Sequence, residues 1–472
     1  MFADWQIARF VAVLEHEMLL FAAAFFLLGA LDELAVDLSY AWLRLRGRAK
    51  TDSVERGYLE GAPLSAPVAI FVPCWQEADV IADTLRHMLA TWPQAQARIY
   101  VGYYASDPDT QAAIASVEDR KGRLRAVRHD RPGPTTKGDC LNRIYEAFEQ
   151  DERTGDIPTR FVILHDAEDR VDPAAIALLD QAMDVCDFVQ LPVLPEIPRR
   201  SPWIAGHYAD EFADSHGRTM VVRDALGAGI PGAGVGSAIG REMLARLSRE
   251  RGGGGPFSVN SLTEDYETGL TVADLGGTSR FLRARGEDGR LIATRAYFPA
   301  TLQASVRQKS RWLQGIALEG WDRMDWGRGI AGRWMRLRDR KAPLTAFVLA
   351  IAYALIVLIG ITSLCRWAGL AIPAIASPTL DVMLWLCTAA LVWRAAIRFA
   401  FVAREYGWWE GVRAVLRMPI GNIVAIMAGR RAVASYIRAL GGTRTPWDKT
   451  RHFAWPDGVE QTGATKVGKR GA

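Results

Sequence analysis

Cysteine is scarce in this chain of 472 residues, and the five present (Cys74, Cys140, Cys186, Cys365, Cys387) form no CxxC pair. Neither a zinc site nor a disulfide framework is signalled, and Cys365 and Cys387, in or beside apolar segments, read as packed thiols. A surplus of one charge is missing too, with 57 Lys+Arg against 53 Asp+Glu and a formal net charge of +4. Nucleic-acid binders carry a larger, clustered basic excess, so that class is set aside. Disorder is excluded by a hydrophobic content of 50%. No cleavable leader is read at the N-terminus, because Glu15 and Glu17 precede the first apolar run and no small-residue cleavage site follows it. The glycine-rich stretch Ile230–Ala238 lacks the strand-and-helix context of a dinucleotide fingerprint.

What is present is segregated into a polar middle and apolar ends. Leu344–Leu364 runs 21 residues without a charge, enough to cross a hydrocarbon layer of about 30 Å. Met18–Leu31 and Val382–Trp393 are shorter and need flanking residues to span. Arg44, Arg46, Arg48 and Lys50 follow the first run, Arg336, Arg338, Arg340 and Lys341 precede the second, and Arg394, Arg398 and Arg404 close the third. Cations flank cytoplasmic ends, so the expected topology has three spans, an outside N-terminus and residues 44–341 in the cytoplasm. From Gly411 to Leu440 apolar residues mix with five arginines, which reads as a helix lying in the cytoplasmic interface and broken or kinked at Pro419 and Gly421. The expected division is a membrane helix over 1–45, a cytoplasmic domain over 46–335, two spans over 336–405, and interfacial helices with a tail over 406–472.

In the middle, short apolar runs alternate with helical stretches: Val68–Val72 then Asp79–Ala90, Ile99–Tyr103 then Thr110–Glu118, Phe161–Leu164 then Pro173–Met183. This alternation predicts a mostly parallel sheet with helices on both faces, whose ligands bind at the carboxyl ends of the strands. Carboxylates follow all three runs, at Glu77 and Asp79, at Asp107, and at Asp166, Glu168 and Asp169 beside His165. One acidic loop residue is usually idle and solvated; three such clusters at one sheet edge suggest a cation, and oxygen ligands suit Mg2+ or Mn2+ held with a diphosphate.

These residues resemble an ordered motif series. Pro73-x-x-Gln-Glu77, Asp166-Ala-Glu168, Thr263-Glu264-Asp265 and Gln308-Lys-Ser-Arg311-Trp312 are similar to the motifs of processive, membrane-embedded family 2 glycosyltransferases, the group of cellulose, chitin and hyaluronan synthases. Leu-Asp32-Glu-Leu, Trp75-Gln-Glu-Ala-Asp-Val-Ile, Gly133-Pro-Thr-Thr-Lys137-Gly-Asp139-Cys-Leu-Asn142 and Asp210-Glu-Phe-Ala-Asp-Ser-His216-Gly resemble the phage-adsorption protein B branch more closely. The resemblance covers roughly residues 20–455 and implies an α/β nucleotide-sugar-binding domain of GT-A type joined to membrane helices.

It further implies that Glu77, Asp107, Lys137, Asp139, Asn142 and Asp166 hold the nucleotide-sugar, a UDP-sugar being the expected donor. Asp166, Glu168 and Asp169 would hold the metal, the second Asp of the family's Asp-x-Asp being replaced here by Glu168. Asp265 would be the base, flanked by Glu264; alone, this triplet also reads as a helix N-terminus with acidic first-turn residues. Gln308, Arg311 and Trp312 share one face of a helix expected over Thr301–Glu319 and would meet glycan and diphosphate, as would the loop containing Gly236 and Ser237. Trp447, Lys449, Thr450 and His452 would form a lid.

The implied activity is metal-dependent, inverting transfer onto a growing exopolysaccharide at a bacterial inner membrane, in contact with lipid and with an outer-membrane or periplasmic export partner. Single transfer to a lipid-linked acceptor and a non-catalytic receptor or secretion component are the alternatives. Because the sequence ends at Ala472, soon after the Trp447–His452 string, regulation in cis by a cyclic dinucleotide is not expected.

Overall fold

A computed structural model of the chain describes residues 2–133, 135–155 and 158–441. Its centre is a seven-stranded sheet formed by β1 (Val68–Pro73), β2 (Ala97–Tyr104), β3 (Leu124–His129), β4 (Phe161–Leu164), β5 (Phe188–Gln190), β6 (Ser237–Gly240) and β7 (Ser279–Phe281). The spatial order is β3-β2-β1-β4-β6-β5-β7, and β6 alone runs antiparallel to its neighbours. β1 and β4 are buried at every position, as the continuous apolar runs VAIFVP and FVIL require of strands covered on both faces. Alternate side chains enter separate cores. Ile70, Val72, Phe161 and Ile163 join one; Ala69, Phe71, Val162 and Leu164 join the other.

The first core is closed by α2 (Ile81–Thr91) and α5 (Ala175–Ala182), with α3 (Pro108–Ala115) beside α2. The second is closed by α4 (Lys137–Thr154), α7 (Arg241–Glu250) and α8 (Glu264–Asp274). Two further helices, α6 (Gly206–Asp214) and α9 (Leu302–Leu313), pack against the long apolar helices described below, each running into a π-helical turn, Ser215–Thr219 and Gln314–Glu319 respectively. Such turns are rare and widen a helix locally, often beside a site. A small parallel pair, Val193–Glu196 with Thr294–Tyr297, closes one wall of the cleft described below.

The remaining long helices are α1 (Phe2–Leu45), α10 (Gly329–Arg340), α11 (Ala342–Trp367), α12 (Pro378–Tyr406) and α13 (Trp408–Leu440). Among the described residues, α1, α11, α12 and α13 are long and apolar enough to cross a membrane, four helices where three spans were expected. The expected break at Pro419 and Gly421 is not found: α13 runs unbroken through Pro419. Proline removes one backbone donor, and packing of α13 against α11 and α12 keeps the segment helical around that gap.

At 44 residues α1 is about 66 Å long, twice the thickness of a hydrocarbon layer. Its surplus length is bonded to α10, to Arg218 and to Trp393 on α12. Asp32 accepts from Trp334 Nε1 (2.7 Å) and pairs with Arg338 and Lys341; Glu33 pairs with Arg218 (2.8 Å) and Arg338 (2.6 Å); Asp37 pairs with Arg218 and accepts from Trp393 Nε1 (2.8 Å). On α13, the fully buried Arg417 pairs with Asp210 (2.6 Å) and Glu410 (2.8 Å), entering over Gly206, where a Cβ would come within 2.4 Å of it.

Candidate active site

A cleft of about 960 Å3, partly open to solvent, lies between the carboxyl edge of the sheet and α9. Lys137 enters as the first residue of α4, whose N-cap Thr136 accepts from the Asp139 N–H (3.1 Å). Its Nζ lies 2.7 Å from Asp166, just past β4, and 3.7 Å from Glu264. Glu264 and Asp265 occupy the first turn of α8, where the helix dipole favours negative charge. The loop before β6 passes directly over them. Gly234, at φ +83°, has its missing Cβ 2.6 Å from Asp265 Oδ2 and 3.4 Å from Lys137 Nζ, so no side chain fits there.

The opposite wall is α9, with Gln308, Arg311 and Trp312 facing the cleft. Trp312 stands edge-on to Tyr208, Phe212 and Phe298, at centroid distances of 6.0, 6.4 and 6.3 Å. This aromatic wall fixes the indole while leaving it at the cleft surface. Gln308 Oε1 and Arg311 Nε are buried without a hydrogen-bond partner among the described residues. Buried polar atoms are rarely left so, and a ligand in the cleft would satisfy them. Gly315, in the π-turn after α9, packs on the N-cap of α8: a Cβ there would meet Thr263 Oγ1 at 2.5 Å.

Burial sets the protonation. It pushes the Glu264 carboxyl up from 4.5 to about 7, against the pull of Lys137 and with a further push from Asp265. Asp265 is raised for the same first reason, again opposed by Lys137. Burial works against the Lys137 charge, but Asp166, Glu264 and Asp265 together outweigh it and keep the ammonium protonated. His165 is pushed down to about 3 by burial, so it is neutral, and its Nδ1 lies 2.8 Å from Asp169.

One pH dependence follows. A carboxyl that titrates near 7 when folded and near 4.5 otherwise contributes stability that is complete below 4.5 and lost as pH rises through 7. In detergent, without donor or divalent cation, melting temperature should fall from pH 5 to 8. Glu264→Gln should flatten that fall by up to about 3 kcal/mol; an unchanged slope would refute the assignment.

A family model described as glycosyltransferase like family 2 matches residues 66–315, more than half of the chain. The chain belongs to that family. It is a glycosyltransferase, and the residues matched are those that build the sheet and the cleft. It is 33% identical over 479 residues to bacteriophage adsorption protein B of Escherichia coli (strain K12), and to the same degree to bacteriophage N4 adsorption protein B of Escherichia coli O157:H7. Each match covers 96% of this chain but 63% of the relative, so the chain spans less than two thirds of their length. Among solved structures it resembles a mannosyltransferase from Pyrobaculum calidifontis, in complex with GDP-Man and Mn2+, at a TM-score of 0.53 and 16% identity over 89% of this chain and 99% of that one. The glycosyltransferase therefore has the expected GT-A-like fold.

The structure gathers Lys137, Asp166, Glu168, Asp169, Glu264, Asp265, Gln308, Arg311 and Trp312 around this one cleft. It places the other expected residues elsewhere. Asp107 caps α3 and accepts from the Gln76 N–H (2.5 Å), while the Glu77 N–H donates to Thr110 (2.9 Å), so together they join the loops after β1 and β2. Asp139 pairs with His129 (2.9 Å) and Arg131 (3.4 Å). Asn142 bonds the backbone of Phe257. Gly236, at φ +64°, lets the chain cross Thr294, and Ser237 opens β6, fully buried.

Among the described residues no three His, Cys, Asp or Glu side chains come close enough to hold a metal together, so Asp166, Glu168 and Asp169 form no cage. The reason is local: Asp169 Oδ2 turns back to His165 and to the Asp166 N–H (3.0 Å). Trp447, Lys449, Thr450 and His452 lie outside the described residues. Sequence reasoning missed Phe212, Phe298 and Gly315. Phe212 stood inside a quoted motif, and an isolated glycine in a helical stretch was the available signal for Gly315; nothing local marks Phe298.

Proposed function

We propose that this glycosyltransferase moves a sugar, with inversion, from a nucleotide-sugar to a growing polysaccharide at the cytoplasmic face of a bacterial inner membrane. The observation that carries the reading is the convergence of Lys137, Asp166, Glu264, Asp265 and Arg311 on one cleft beneath a membrane-side helix. The acceptor hydroxyl oxygen attacks the anomeric carbon from the side of Asp265 and its proton passes to that carboxylate. The bond from that carbon to the diphosphate breaks, and the nucleoside diphosphate leaves with the electron pair. One displacement inverts the centre. An oxocarbenium-like transition state lets proton removal come late, so a carboxylate within reach is a sufficient base. Arg311 and Lys137 offset the charge that grows on the diphosphate, and Trp312 offers its face to a sugar ring.

Asp166 and Glu168 supply hard oxygen donors at the strand end, enough for a cation that takes its remaining ligands from phosphate and water. When bound, Mg2+ or Mn2+ would neutralise the leaving diphosphate. The donor expected from the motifs is a UDP-sugar, whereas the similar archaeal mannosyltransferase was solved with GDP-Man, so the base is a matter for the assay. A partner in the periplasm or outer membrane would receive the polymer.

Packing supports an interfacial seat for α13. A Cβ on Gly411 would touch Ala403 and Phe399 near the end of α12, and one on Gly429 would touch Ala346 near the start of α11. Those are the cation-flanked ends of both neighbours. A helix crossing the layer would meet opposite ends. Beyond them, the Tyr436 hydroxyl bonds Asp322 (2.5 Å) of the catalytic half.

The test is the purified full chain in detergent with a panel of nucleotide-sugars, with Mn2+, Mg2+ or EDTA, measuring released diphosphate and product size. One donor should give release that EDTA abolishes, with products that lengthen with time. Release from no donor would overturn the function; release in EDTA would overturn the metal; a one-sugar product would overturn polymer growth.

A further inference from the structure

The glycine-rich stretch Gly252–Gly255 leads toward α8, and the chain after it is tied to the donor side of the cleft by one side chain. The Asn142 amide donates to the Phe257 carbonyl (2.8 Å), and its carbonyl oxygen accepts from the Phe257 N–H (2.9 Å). Bonding both groups of one residue fixes the position of that residue and its rotation. Two glycines permit the close approach. A Cβ on Gly138 would lie 2.4 Å from the Ser258 carbonyl oxygen, and one on Gly255, at φ +110°, would lie 2.4 Å from Asn142 Oδ1.

Phe257 is buried, and it packs at the same junction behind the cleft as Lys137, Glu264 and Asp265. Downstream, Arg323 donates to the Asn260 carbonyl (2.6 Å) and the Ser261 hydroxyl (3.1 Å). The segment entering Thr263-Glu264-Asp265 therefore has two anchors. The first comes from α4, the helix that Lys137 begins.

We propose that Asn142 is a positioning residue for transfer: by clamping Phe257 it sets the spacing between Lys137 on α4 and the carboxylates of α8. This role rests on the glycosyl-transfer reading above. It differs from donor contact, the role implied by the motif resemblance, because a clamp acts on the geometry of the reacting groups after the donor has bound.

The experiment compares Asn142→Ala, Gly138→Ala and the double variant in the full chain, by steady-state kinetics with the active donor and by thermal melting. A misplacement of about 1 Å at reacting groups costs on the order of 100-fold in rate. Each single variant should therefore lose about 10- to 100-fold in kcat while donor KM stays within about threefold. Because both act on one junction, the double variant should lose little more than the worse single one. A loss confined to donor KM would make Asn142 a donor contact and overturn the proposal, as would wild-type kcat in either variant or losses that multiply in the double. If Asn142→Ala does not fold, Gly138→Ala decides alone, since it presses on the same junction with the Asn142 side chain intact. An inactive wild type would sink the transfer reading and this role with it; an active wild type matched by the variants sinks this role alone.

Discussion

Asp265→Asn is expected to lower kcat by about 1,000-fold, within the range that a positioned base contributes, with donor KM nearly unchanged. Asparagine keeps the shape, so it still fits under Gly234, whose missing Cβ leaves only 2.6 Å to Asp265 Oδ2. What it lacks is an oxygen able to take the acceptor proton. A change that lowers kcat and kcat/KM together removes an interaction made only in the transition state, which distinguishes a base from a donor contact. Glu264 is not expected to substitute, because it is 4% exposed and its carboxyl lies 3.7 Å from Lys137. Release of diphosphate from the identified donor is the measurement, with melting temperature as the control for folding. A kcat within about tenfold of wild type would remove Asp265 from the role of base.

Arg218→Ala should be the most destabilising change outside the cleft. The Arg218 side chain is 2% exposed and serves three carboxylates: Asp214 through Nε (2.8 Å), Glu33 through Nη2 (2.8 Å) and Asp37 through Nη1. Removing it leaves three acids facing one another in a poorly hydrated joint. Breaking a buried ion pair by deleting one partner costs about 3–5 kcal/mol, because the desolvated partner charge stays behind. Arg394 reaches Asp214 (2.6 Å) and Glu33 (3.4 Å) and offsets part of the loss, while Asp37 is left with Trp393. Thermal melting in detergent should drop clearly, and protease should cut between α1 and the catalytic half more readily. Arg218→Lys, a point charge without the fork, should fall between the two. A melting temperature equal to wild type would show that α1 is held by apolar packing alone.

Much of the catalytic half was legible because its physics is local. β4 was read at its observed bounds, and β1 and β2 to within two residues, since strands buried on both faces are continuous apolar runs. Lys137, Asp166, Glu264, Asp265 and Arg311 stood in recognisable motifs, and all line the cleft. Neighbouring motif residues with the same chemistry do not. Asp107 follows the second strand run, and Asp139 and Asn142 stand in the same motif as Lys137, yet each bonds another part of the protein: a helix N-terminus, a histidine or a backbone residue.

Local pattern therefore determined which segments are strands, which are apolar helices and where acidic loops fall. Only the tertiary structure decided which polar side chains are consumed by the fold and which face the cleft, and that α1 continues past its apolar run to meet Arg218 and Arg338, far along the chain. The cause is that backbone periodicity is set by neighbours in sequence, whereas a buried polar group must be satisfied by whatever packing brings beside it.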